Sequence, residues 1–155
     1  MRSNLLIKTM ATILIANDGS TLATAALDEG LVLARDLGDT VVIVTVWQIP
    51  VGEFGAPYPA FAIDELIRVE QEHARRVLEQ SAARAKELGV EAETDLREGF
   101  PPEEICAVAD ERGVRLLVLG SHGWGALRSI LHGSVASGVL HRAKRPVLLV
   151  RGDDG

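Results

Sequence analysis

A chain of 155 residues, 47% hydrophobic and 25% charged, is sized for one domain around one core and is too apolar to be disordered. Its 22 acidic and 16 basic residues leave a net charge of −6, which argues against a nucleic-acid partner held through its phosphate backbone. No window reaches the roughly 18 apolar residues of a membrane span, and the lone Cys106 excludes an internal disulfide framework and a cysteine-based zinc cluster.

In chain order, Thr12–Ala16 is a short apolar run suited to a strand buried on both faces. Asp18-Gly19-Ser20 reads as a turn, with Ser20 or Thr21 capping a helix that turns Ala23, Ala26, Leu27, Leu31, Ala34 and Leu37 inward and stops at Gly38. Thr40–Trp47 is β-branched and predicts a second central strand, and the Pro- and Gly-rich residues 48–60 predict a loop. A long helix is expected from about Ile63 to Leu88, with Leu66, Ala74, Val77, Ser81, Ala85 and Leu88 facing inward.

Val90–Arg97 alternates weakly, as an edge strand does. Pro101-Pro102-Glu103-Glu104 opens a helix, since proline fits its first turn and the acids complement its dipole. Val114–Leu119 predicts another central strand, followed by a loop over 120–133, a short helix from Ser134 and a last strand at Pro146–Val150. Strands alternating with helices require a parallel sheet. The expected fold is therefore α/β: a single open, doubly wound, Rossmann-like five-stranded parallel sheet with helices on both faces. Ligands on such sheets bind at the carboxyl ends of the strands, where the strand order reverses.

Charge is unevenly distributed. Residues 1–100 carry 9 basic and 16 acidic side chains, whereas the 41 residues between Glu111 and Asp153 contain no acid and include Arg112, Arg115, Arg128, Arg142, Lys144, Arg145 and Arg151. A local anion site would produce this pattern, and so would a buried strand, a glycine loop and a helix with a basic end. Within the stretch, Gly120 and Gly123 let backbone N–H groups approach an anion, and Gly133 and Ser134 sit where a helix would present its free N–H groups. This is the physics of a phosphate cradle built without a lysine.

The spacing G-x2-G-x9-G-[ST], filled by Gly120, Gly123, Gly133 and Ser134, resembles the ATP-binding signature of the universal stress protein family. The resemblance runs from Ala11 to Arg151 and includes the turn Asp18-Gly19-Ser20; residues 1–10 stand outside it as a possible extra N-terminal segment. It implies that the cofactor is ATP or AMP, with Mg2+ bridging the phosphates. It places Ala16, Asn17 and Asp18 against the nucleotide, with Asp18 at the ribose hydroxyls, and the Val46 backbone at the adenine edge. Leu119, Gly120, Gly123, Gly133, Ser134 and Val135 fall at the phosphates and ribose, and Arg128 is a candidate for the outer phosphates or a solvated side chain. It further implies a homodimer joined through Pro146–Val150 and a protein partner of unknown kind; a cytoplasmic location is the expectation from composition and from the lack of an apolar span.

The chain departs from the family pattern at Ala16-Asn17, where a proline often ends the strand, at Arg115, where an acid is common, and at Trp124, often a basic residue. Other nucleotide motifs are missing: there is no G-x4-G-K-[ST] and no G-x-G-x-x-G after the first strand. The turn also resembles the acidic loop of haloacid-dehalogenase-type phosphatases, but Ala16 stands where their nucleophilic Asp would be. His73, His122, His132 and His141 lack metal-ligand spacing, and no Ser-His-Asp or Cys-His order marks a catalytic site. These residues point to holding a nucleotide rather than transforming it. The alternatives are a nucleotide-free interaction protein and a weak Mg2+-dependent ATP hydrolase.

Overall fold

The computed structural model describes residues 10–49, 59–121 and 134–152. The elements alternate as the sequence predicts: β1 (Thr12–Ala16), α1 (Thr21–Leu37), β2 (Thr40–Trp47), α2 (Ala60–Glu87), β3 (Ala92–Glu98), α3 (Pro101–Arg112), β4 (Leu116–Gly120), α4 (Ser134–Arg142) and β5 (Val147–Val150). All strand pairings are parallel, in the order β3-β2-β1-β4-β5, so the chain reverses direction across the sheet between β1 and β4. The α2 helix begins three residues before the predicted Ile63, its first bonds running from the Ala62 and Ile63 N–H groups to the single carbonyl of Pro59.

The two faces of the sheet are covered by different helices. Ile13, Ile15, Val41, Ile43 and Val118 pack on one face against Ala26, Leu27 and Leu31 of α1 and Leu78 and Ala85 of α2. Leu14, Val42, Val44, Leu117 and Leu119 pack on the other against Ile105, Val108 and Ala109 of α3 and Val139 of α4. This follows from the period of two in a strand: with both faces covered, β1 and β2 are apolar at nearly every position. Gly30 sits on α1 over Ile15, where a methyl group would lie only 2.7 Å from the Ile15 Cδ1, so the missing side chain lets helix and sheet approach.

The edges differ. β3 carries Glu93, Asp95 and Arg97, and Asp95 and Arg97 pair with each other and with Arg112 and Glu111 of α3. Its polar pattern shields one sheet margin. The opposite edge, β5, presents Leu148 at 38% exposure. Among the described residues no helix is long and apolar enough to cross a membrane.

Candidate functional site

At the carboxyl ends of the central strands lies a cleft of about 650 Å3, within the range of small-molecule sites. One wall comes from the β1–α1 turn (Asn17, Asp18, Ser20) and the start of α1 (Leu22, Ala23). The floor comes from Ala16, Val44–Ile49, Leu119 and Gly120. The opposite wall comes from Pro101 and Ile105 of α3 and Val135 and Ala136 of α4. Of the residues singled out from the sequence, Ala16, Asn17, Asp18, Val46, Leu119, Gly120 and Val135 therefore converge on one cavity. Ser134 opens α4, whose first turn borders it, while Gly123, Arg128 and Gly133 lie outside the described residues.

The register of the sheet explains what Val46 offers. β1 pairs with β2 only as far as Ala16↔Val44, and the Asn17 N–H donates to the Val44 carbonyl at 3.0 Å. β2 runs on to Trp47, whose carbonyl accepts from the Gly99 N–H on the β3 side. Backbone groups of a strand alternate sides, so the Val46 N–H and C=O point the same way as those of Val44, past the end of β1 and over the cleft. One donor and one acceptor, side by side, form an edge that a planar heterocycle can pair with.

The turn after β1 is held by its own polar groups. Ser20 caps α1, its Oγ accepting from the Ala23 N–H at 3.3 Å, as one of the two expected candidates. Asp18 Oδ1 accepts from the Ser20 N–H at 2.9 Å, while the side chain stays exposed. Asp18 thus serves as a turn residue through one oxygen, and its second oxygen remains available to hydroxyl donors. Asn17 behaves differently: it is buried, donates from Nδ2 to Ser81 Oγ at 2.9 Å and accepts the Gly19 N–H at 2.9 Å.

Gly120 also has a role that its place in the sequence did not disclose. A methyl group there would lie 2.7 Å from the Leu22 carbonyl carbon and oxygen, so the glycine lets the end of β4 lie against the first turn of α1. Its neighbour Ser121 donates its N–H to the Val150 carbonyl at 2.8 Å, continuing the pairing with β5.

Sequence reasoning turned Ala74 inward but did not assign α2 to the cleft, where Glu70, His73 and Ala74 form a wall. Their i, i+3, i+4 spacing was the available signal, since it places all three on the face that also carries Val77 and Ser81. Asp18 and Glu70 are the carboxylates among the described lining residues, and no lysine or arginine is among them. A ligand that spans the cleft therefore meets acceptors at the α1–α2 side and the dipole-positive first turn of α4 at the other. Trp47 is 7% exposed and packs beneath this surface.

The remaining chemistry is structural. Cys106 is half-buried beside the Val139 carbonyl, and burial pushes its thiol pKa up, which disfavours the reactive thiolate. Arg115 pairs at 2.9 Å with the buried Asp39, which also accepts the Ala11 N–H at 3.2 Å. This arginine thus anchors the loop before β4 to the start of β2. Among the described residues, no group of three His, Cys, Asp or Glu is placed to hold a metal ion.

A model of the universal stress protein family matches residues 10–151. Universal stress protein YxiE of Bacillus subtilis is 36% identical over 143 residues, covering 89% of this chain and 97% of the relative. The solved structure of MJ0577, a universal stress protein of Methanocaldococcus jannaschii, superimposes with a TM-score of 0.74 at 28% identity, covering 94% of this chain and 98% of that one. A universal stress protein in complex with cAMP gives a TM-score of 0.69 at 28% identity, covering 90% and 96%. One from Archaeoglobus fulgidus in complex with dAMP gives 0.61 at 27%, also covering 90% and 96%.

Proposed function

The chain belongs to the universal stress protein family, and on that premise we propose that it binds ATP or AMP in the cleft above β1, β2 and β4 as a nucleotide-responsive member of that stress-response family. The observation that carries this reading is the Val46 backbone edge, directed over the cleft by the early end of β1 and facing the same cavity as Asp18. Adenine takes up the Val46 N–H and C=O, and the ribose hydroxyls donate to the available oxygen of Asp18. The phosphates lie toward Gly120 and the first turn of α4, away from Asp18 and Glu70, where the helix dipole and free N–H groups favour an anion. The cAMP and dAMP complexes of related proteins support an adenine nucleotide as the ligand class.

The motif glycines Gly123 and Gly133, with Ser134, complete the phosphate site in this proposal, and Arg128 reaches outer phosphates when they are present. Mg2+ would accompany the nucleotide and would supply charge neutralisation at its phosphates. In this proposal the chain holds the nucleotide rather than transforming it. Two copies join through the exposed β5 edge at residues 146–150, and the nucleotide state alters a surface read by a protein partner.

Calorimetry and native mass spectrometry of the purified protein with ATP, ADP and AMP, with and without Mg2+, test the proposal. Binding on the micromolar scale, lost in a Gly123→Val variant that still unfolds cooperatively, is the expected result. Failure of all three nucleotides to bind the folded parent would overturn it and leave the nucleotide-free interaction protein as the working alternative.

A further inference from the structure

Asp18 stands on a turn whose position is set from across the molecule. Asn17, 5% exposed, donates from Nδ2 to Ser81 Oγ on α2, a bond spanning 64 residues of sequence. Ser81, 1% exposed, in turn donates its hydroxyl to the Val77 carbonyl at 2.7 Å, so its oxygen is oriented by the helix. The other end of the Asn17 amide accepts the Gly19 N–H, and its backbone carbonyl accepts the Thr45 hydroxyl at 2.7 Å. Gly19 itself, at φ +84°, lies so close to α2 that a methyl group there would fall 2.8 Å from Val77 Cγ2. The turn is seated directly on the helix.

Both ends of the Asn17 amide are engaged by this protein's own groups. Its side chain ties α2 to the two residues on either side of the Asp18 carboxylate. We propose that Asn17 is a positioning residue which, through Ser81, holds Asp18 at the distance the ribose hydroxyls require. The proposal rests on the reading that Asp18 accepts from those hydroxyls. Buried polar bonds of this kind fix one geometry, because each member loses its partner if the other moves. The Asn17–Ser81 pair thus does here what a rigid residue at the end of β1 would otherwise do, and does it by borrowing the rigidity of a 28-residue helix.

The experiment compares the affinity of the parent for AMP and for 2′,3′-dideoxy-AMP, which lacks the hydroxyls, and repeats both titrations on Ser81→Ala, Ser81→Thr and Asn17→Ala. Alanine suits a helix interior, so Ser81→Ala removes the acceptor with little cost to α2. The expected result is a loss of AMP affinity of roughly threefold to tenfold in Ser81→Ala and Asn17→Ala, the scale of coupling between bonded neighbours. Dideoxy-AMP affinity stays unchanged in Ser81→Ala, and Ser81→Thr, which keeps the hydroxyl, behaves as the parent. In an Asp18→Ala background, Ser81→Ala has no further effect on AMP. Equal weakening of both nucleotides, or undiminished preference for AMP in Ser81→Ala, overturns the positioning role while leaving the nucleotide site intact. A parent that binds both nucleotides equally removes the Asp18 contact on which the inference depends, and a parent that binds neither removes the site.

Discussion

Gly120→Ala separates two meanings of one glycine. As a motif residue it would matter only to a bound phosphate, yet its new Cβ would lie 2.7 Å from the Leu22 carbonyl carbon and oxygen and 2.9 Å from the Ala23 nitrogen. Carbon contacts are relaxed at about 3.5 Å or beyond, so β4 or the first turn of α1 must retreat by about 0.8 Å. All three obstructing atoms are backbone, held by the pairing of β4 with β5 and by the Ser20 cap, so no rotamer change relieves the clash. Overpacking of this kind costs about 3 kcal/mol at the upper end of its usual range, and restricting the unfolded chain returns about 1 kcal/mol. The net loss of about 2 kcal/mol lowers Tm by roughly 4–8 °C in a domain of this size. Thermal unfolding followed by far-ultraviolet circular dichroism, without nucleotide, measures it. Gly30→Ala is the control: its new methyl also meets an atom at 2.7 Å, but that atom is the Cδ1 at the end of the Ile15 side chain. Its loss is expected to be smaller, since Ile15 can shift and alanine favours the helix. A Gly120→Ala protein that melts within about 2 °C of the parent would refute the close-packing argument.

Further expectations follow from the same contacts. Ser20→Ala removes the α1 cap and is expected to cost about 1 kcal/mol in denaturant unfolding, without changing the slope of the transition. Asp39→Asn keeps an acceptor for the Ala11 N–H but loses the charge facing the half-exposed Arg115; a cost of about 1 kcal/mol is expected from the same assay. Hydrogen bonding from Arg97 holds the Asp95 carboxyl below its usual pKa, against the opposing effect of burial. A depressed carboxylate contributes stability that is complete above the unfolded pKa of about 4 and is lost as pH falls through the folded value. Asp95→Asn should therefore lower Tm at pH 7 and flatten its decline below about pH 4, as Tm against pH will show. Cys106 should react with iodoacetamide more slowly in the folded protein than in the unfolded chain at the same pH, since burial raises its pKa.

The alternation of strand and helix, the parallel sheet and the edge position of β3 were legible in the amino-acid order, because each is a local consequence of periodicity. A strand buried on both faces must be apolar throughout, as β1 and β2 are, and a helix seated on such a sheet must repeat its apolar residues every three or four positions. The turn Asp18-Gly19-Ser20 was legible for the same reason, being short and contiguous. Which groups meet across the fold was not. That Val46 overhangs the end of β1 depends on the register between two strands, a quantity no single segment carries. That Asn17 faces Ser81, 64 residues away, and that Gly120 lies against Leu22 depend on how α1 and α2 settle on the sheet. Ser81 stood at an inward helical position in the sequence, but an inward serine announces only that it needs a partner. Periodicity tells a side chain which way to face, whereas packing alone chooses what it will find there.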